Sequence, residues 1–84
     1  MAGGYYIIES GSCGGRLIST TSECEAAATA LGLSDKIAGD YTSSTSSYRP
    51  PGCQLSYGSL YVYGGGSTGS CSSYKQCICK STSP

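Results

Sequence analysis

Six cysteines in a chain of 84 residues, Cys13, Cys24, Cys53, Cys71, Cys77 and Cys79, constrain the fold more than any other feature. An even cysteine count in a short chain reads as a disulfide framework standing in for a large apolar core. The rest of the sequence needs one. Leu, Ile and Val together number eleven, and there is no Phe or Trp. A domain this small also buries a modest share of its surface. In the chain-entropy picture a closed loop of roughly 15 residues is worth about 3 kcal/mol, so three bridges approach the whole net stability of a small domain. Metal binding is the rival use of cysteine, but zinc sites favour knuckles with two to four intervening residues, often with histidine. Here the closest pair is Cys77-Ile78-Cys79, and His is absent. The pattern predicts three bridges, no metal, no cofactor and an extracellular setting, secreted or at the cell surface.

The remaining composition narrows the function classes. Net charge is zero, with Lys and Arg scattered, which argues against a nucleic-acid partner. No apolar run reaches the length of a membrane span, so no membrane insertion is expected. The opening Met1-Ala2-Gly3-Gly4-Tyr5 lacks the charged and apolar regions of a signal peptide. A single mature or excised domain over 1–84 is expected. Without His the usual general base is missing. Glu23 and Glu25 are accounted for by helix capping, and Glu9, Asp35 and Asp40 are dispersed, so no catalytic residue is assigned. Gly64-Gly65-Gly66 lacks the lysine and the strand–helix setting of a phosphate loop.

Local pattern predicts an α+β fold, with one helix packed on a small antiparallel β-sheet. Tyr5 to Ser10 is β-branched and aromatic and reads as a first strand. Arg16-Leu17-Ile18 reads as a short extended piece. A helix is expected over about 21–31. Thr20 with Glu23, and Ser22 with Glu25, form overlapping capping boxes, and Gly32 is placed to end the helix. Cys24, Ala27, Ala28 and Leu31 share one face, so Cys24 points with the apolar stripe. Residues 34–52 read as a long connection, and Gly64 to Ser70 as a flexible loop. Cys53–Ser56 and Ser59–Tyr63 flank Tyr57-Gly58 as a hairpin, with Leu60 and Val62 on one face and Tyr61 and Tyr63 on the other. Tyr74 to Lys80 reads as the last strand, with Cys77 and Cys79 on one side. Six cysteines allow fifteen connectivities. The working expectation among them is Cys24–Cys53 (helix to sheet), Cys13–Cys79 (first strand to last) and Cys71–Cys77 (local).

Eight tyrosines are the one positive functional signal. Tyr supplies large amphipathic contact area at low entropic cost. Tyr57, Tyr61 and Tyr63, joined by Tyr5 or Tyr6 from the first strand, are the expected interaction face; the bland alternative is that these rings pair across strands and shield a thin sheet. The tract Thr42, Ser43, Ser44, Thr45, Ser46 and Ser47 beside two prolines is an O-glycosylation candidate in a secreted chain. The leading functional expectation is a non-catalytic extracellular structural or interaction module, self-assembling into a coat or filament. Its expected partners are its own copies or other extracellular proteins. A lectin-like module binding glycans is the alternative, and an inhibitor or toxin-like effector using residues 41–52 is a further one.

The order of segments resembles an uncharacterised six-cysteine domain of predicted secreted or surface proteins of algae and other protists. The matching stretches are Glu9-Ser10-Gly11-Ser12-Cys13, Leu17-Ile18-Ser19, Glu23-Cys24-Glu25-Ala26-Ala27, Ala30-Leu31-Gly32-Leu33, Pro50-Pro51-Gly52-Cys53, Ser59-Leu60-Tyr61, and Cys71-Ser72-Ser73 through Cys77-Ile78-Cys79. They span nearly the whole chain. That family's pattern often carries Phe-Asn after Leu-Tyr, where this chain has Val62-Tyr63. The resemblance implies an extracellular module and no known activity. A helix bridged to an antiparallel sheet is also similar in layout to apple/PAN modules, an analogy of fold alone.

Overall fold

A computed structural model describes residues 4–81 of the chain; the opening Met1-Ala2-Gly3 lies outside them. The elements in order are β1 (Tyr5–Ile8), α1 (Thr21–Leu31), β2 (Gly39–Tyr41), β3 (Gly52–Ser56), β4 (Ser59–Tyr63) and β5 (Lys75–Lys80). The five strands form one sheet in the order β1-β5-β3-β4-β2. Helix α1 lies across one face of it, against β1, β3, β4 and β5. The fold is α+β and disulfide-rich, as expected.

Helix α1 forms where its capping residues dictate. The Thr20 side chain accepts the Glu23 backbone N–H, and Gly32 adopts the left-handed conformation that closes the last turn onto the Ala28 and Thr29 carbonyls. The second expected capping box does not form. Glu25 turns away from the helix start and its Oε2 accepts the Ala38 N–H at 2.8 Å, holding the connection to β2. Cys24, Ala27 and Ala28 are buried on the sheet side. The small alanines let the helix approach closely enough for the Cys24–Cys53 bridge to reach β3, with Cα atoms 5.4 Å apart. Around that bridge Ile18, Leu60, Val62 and Ile78 complete a core, with Tyr5, Ile7, Leu31, Leu33, Ala38 and Leu55 at its margin.

The sheet is mixed, whereas the sequence predicted it antiparallel throughout. β3 pairs antiparallel with both β4 and β5, and β1 with β5, but β2 runs parallel to β4 on the far edge. This strand was invisible in sequence: three residues are too few to show a two-residue period, and a polar Ser/Thr tract follows them. The connection 34–52 therefore contains an element, and its remainder is tied down. Gly64 N donates to Ser44 O at 2.9 Å, Thr68 N to Ser46 O at 2.8 Å and Gly69 N to Arg49 O at 3.0 Å. The two segments lie so close that a Cβ on Gly64 would sit 2.6 Å from Ser44 O, and one on Gly69 2.5 Å from Arg49 N. Residues 64–70, expected as a flexible loop, are one half of this ladder, with Gly64 and Ser67 buried.

Smaller differences have similar causes. β1 stops at Ile8 rather than Ser10, and Glu9 beyond it is held by a hydrogen bond from Gln76 Nε2. Gly14–Arg16 winds into a single 3-10 turn that takes in Arg16, the first residue of the expected extended piece, while Leu17 is extended and pairs with Cys79 as an isolated bridge. The hairpin turn is tight, with Tyr57 at φ 51° and Gly58 at φ 83°, both left-handed as a two-residue hairpin of primed type requires. On the face opposite the helix a second core is built largely of sulfur. The bridges Cys13–Cys79 and Cys71–Cys77 meet on the one face of β5 shared by Cys77 and Cys79, flanked by Tyr6, Ile8 and Leu17.

Candidate functional site

The two faces of the sheet divide the side chains of β4. Leu60 and Val62 point to the helix and are buried; Tyr61 and Tyr63 point to the outer face and are partly exposed. The parallel register of β2 adds to this. Tyr41 stands opposite Tyr63 and Gly39 opposite Tyr61. The Tyr61 ring covers Gly39, with Cδ1 3.0 Å from where a Cβ would be, an edge glycine shielded by its aromatic neighbour. Tyr41 and Tyr63 stack at 5.0 Å between centroids with planes 9° apart, and Tyr41 meets Tyr61 edge-on at 5.7 Å.

Arg49 closes the cluster. It arrives from the strap of chain before Pro50 and Pro51. Its guanidinium sits 5.1 Å from the Tyr61 centroid and 5.4 Å from that of Tyr63, a cation held against two π faces. Its Nη1 donates to Ser56 Oγ at 2.7 Å. Beside it on β3 lies Gln54, fully buried, whose register partners are Tyr61 on one side and Cys77 on the other. Gln54 Nε2 donates to Pro50 O at 2.7 Å, while its Oε1 has no hydrogen-bond partner. A buried acceptor left without a donor costs about 1–3 kcal/mol.

All five carboxylates are engaged away from this cluster. Glu9 takes Gln76 Nε2, Glu23 takes the Tyr5 hydroxyl, Glu25 takes Ala38 N, Asp35 takes Ile37 N and Leu60 N, and Asp40 takes Thr42 N and Oγ1. Those contacts hold the Asp35 carboxyl below the usual carboxylate range, through Ile37 N first and Leu60 N second. The Asp40 carboxyl is held low mainly by the Thr42 hydroxyl, then by its N–H. Every one of these partners is neutral. Among the described residues the outer face thus carries Arg49, and Lys75 whose Nζ donates to Tyr48 O, with no side-chain carboxylate to match them.

The structure places the expected interaction residues in four locations. Tyr61 and Tyr63 lie together, joined by Tyr41 and Arg49, which sequence reasoning missed. Tyr57 lies at the hairpin tip, exposed and stacked on Tyr74 at 5.8 Å. Tyr5 is on the helix face, where its hydroxyl donates to Glu23; burial and then the Glu23 charge raise its pKa. Tyr6 packs against the sulfur core. A signal for Tyr41 existed only in its neighbourhood, since Gly39-Asp40-Tyr41 precedes a turn; Arg49 was readable only as the residue before two prolines. In the tract 42–47, Thr42 Oγ1 donates to Asp40 and Ser46 Oγ accepts from Tyr48 N and Arg49 N, leaving Ser43, Ser44, Thr45 and Ser47 exposed.

The arrangement has the means to stack on apolar surface, to donate hydrogen bonds and to offer a planar cation. All six cysteines are in bridges, so none is a free thiol. Among the described residues no group of His, Cys, Asp and Glu is placed to hold a metal, and no helix is long and apolar enough to cross a membrane. No protein-family model, curated protein or solved structure matches the chain.

Proposed function

We propose that this chain is a non-catalytic extracellular interaction module that makes its contacts through the outer face of its sheet. One observation carries the reading. Tyr41, Tyr61 and Tyr63 are gathered with Arg49 on a face that, among the described residues, holds cations and no side-chain carboxylate. Three bridges in a domain with so few aliphatic residues support an oxidising setting, and the resemblance to a six-cysteine surface-protein domain points the same way. The backbone at Tyr57 adds support. A tyrosine in the left-handed region costs about 1–2 kcal/mol that Asn or Gly would not. Retaining an exposed ring at that cost fits a surface kept for contact.

Two classes of partner suit this face. Own copies or other extracellular proteins, in a coat or filament, are supported by the exposed tyrosine area: Tyr41, Tyr48, Tyr57 and Tyr74 are all exposed. A glycan is supported by the unpaired guanidinium over the rings. Light scattering coupled to size exclusion, on the oxidised protein and on Tyr41→Ser/Tyr63→Ser, tests the reading. An assembly that the double variant dissolves supports self-contact. A wild-type monomer that binds neither proteins nor sugars through these tyrosines would overturn the reading. The exposed hydroxyls of Ser43, Ser44, Thr45 and Ser47 are where O-linked sugars would attach, and the intact mass of natively sourced material tests that directly.

A further inference from the structure

The geometry points to an anionic carbohydrate, bearing carboxylate or sulfate groups, as the ligand of the outer face, packed on the exposed ring of Tyr41 with its charged group on Arg49, which Tyr61 and Tyr63 hold in place. The inference rests on the outer face being the contact surface and specifies its glycan branch.

Two features converge. The first is charge. A guanidinium offers five N–H donors in a planar fork, and the hydrogen bond Arg49 makes goes to the neutral Ser56 hydroxyl. With each of the five carboxylates held by a neutral partner elsewhere, the fork remains available for a carboxylate or sulfate, the planar and polyoxygen anions it recognises best. The second is the rings. Tyr61 and Tyr63 already orient the guanidinium from one side, which reduces the freedom it must lose on binding. Tyr41 extends this platform towards the sheet edge with an exposed ring, an apolar surface for the C–H face of a pyranose. A pyranose brings a rigid C–H face for the exposed Tyr41 ring together with its charged group, which a flexible acidic side chain does not, and that difference selects a sugar over an acidic protein segment as the occupant.

The test is a titration followed by tyrosine ring and Arg49 side-chain NMR signals, with calorimetry for affinity. The probes are a galacturonate hexasaccharide, a heparin-derived hexasaccharide, neutral cellohexaose and hexaglutamate. Perturbation of Tyr41, Tyr61 and Tyr63 by the two anionic sugars is expected, with cellohexaose and hexaglutamate at least tenfold weaker. Galacturonate against heparin fragment tells whether sulfate added to carboxylate strengthens binding. Arg49→Gln should weaken the anionic sugars tenfold or more, as the loss of a charge-assisted hydrogen bond requires, and Arg49→Lys should recover part of the affinity. Because Arg49 also packs on the rings, the amide spectrum of each variant is compared with wild type, and Lys80→Gln serves as a charge control away from the face.

Equal binding of cellohexaose, undiminished in Arg49→Gln, would leave a glycan-binding face and overturn its anionic selectivity. Equal binding of hexaglutamate, or an equal loss in Lys80→Gln, would reduce the effect to general electrostatics and overturn it as well. No response of the tyrosines to any sugar, with concentration-dependent shifts of the same signals in the protein alone, would refute the glycan branch and leave self-contact.

Discussion

Removing two of the bridges, one at a time and as alanine pairs, separates what sulfur packing contributes from what loop closure contributes. The bridges Cys24–Cys53 and Cys71–Cys77 span 29 and 6 positions, and both lie inside the loop closed by Cys13–Cys79 without overlapping each other. Each therefore restricts the unfolded chain independently of the other. The chain-entropy relation gives about 3.6 kcal/mol for the longer loop and about 2.2 kcal/mol for the shorter at 25 °C. All four half-cystines are buried, at 0–4% exposure. Cys24→Ala/Cys53→Ala and Cys71→Ala/Cys77→Ala thus each remove two buried sulfurs and incur similar packing losses. The difference between the variants isolates the loop contribution, about 1.4 kcal/mol. At a guanidinium slope of about 3 kcal/mol/M, the variant lacking Cys24–Cys53 should unfold about 0.5 M earlier than the one lacking Cys71–Cys77. Equilibrium denaturation followed by far-UV circular dichroism and by tyrosine fluorescence reads both midpoints and checks two-state behaviour. Coincident midpoints, or a reversed order, would refute loop closure as the main contribution of these bridges.

Three further outcomes follow from particular contacts. Thr20→Ala removes the side-chain acceptor for Glu23 N and should cost about 1 kcal/mol in thermal or chemical denaturation, with α1 fraying at its first turn in hydrogen exchange. Gly69→Ala drives a methyl to within 2.5 Å of Arg49 N, so it should destabilise by about 1–3 kcal/mol and speed exchange of the Thr68 and Gly69 amides; an unchanged exchange pattern would mean the two segments are not held together. The Asp35 carboxyl lies below the usual carboxylate range when folded, so its ionised form stabilises the fold above that range, and this support is lost as pH falls through the folded value. Melting temperatures from pH 7 to pH 2 should decline less steeply in Asp35→Asn than in wild type; parallel declines would show that the Ile37 and Leu60 N–H groups do not depend on that charge.

Legibility in the sequence tracked how local each determinant is. Helix α1 was readable to the residue, since Thr20, the alanines and Gly32 act within a few positions of one another. The hairpin was equally readable from Tyr57-Gly58, and alternation in β4 assigned Tyr61 and Tyr63 to the face away from the core. The cysteines were legible through phase: Cys24 on the buried stripe of α1, and Cys77 with Cys79 on one side of β5. What escaped was set by distant partners. β2 exists because Tyr61 to Tyr63 offers an open edge, and nothing in Gly39-Asp40-Tyr41 alone declares a strand. The role of Glu25 depends on Ala38, thirteen positions away, and so a capping motif was read where a tether formed. Tyr41 joined the candidate site through the unforeseen β2–β4 pairing and Arg49 through the ladder that ties its strap to residues 64–69, which is why that site was only half visible.

The register of the outermost pair has a mechanical consequence. Tyr5 lies opposite Lys80, so the chain enters and leaves the domain at the same end of an antiparallel ladder. Tension applied through the flanking chain peels such a ladder one rung at a time, a geometry with little resistance of its own. Here the peeling has a fixed limit. Once β1 has separated, the load reaches Cys13 and Cys79, which are covalently joined, and it passes from one to the other through sulfur. The chain between them, two cysteines 66 positions apart, is short-circuited: helix, remaining strands and the tyrosine face bear no load while that bond is intact. Stretched, the oxidised domain would lengthen slightly and stop, and only reduction would release the rest.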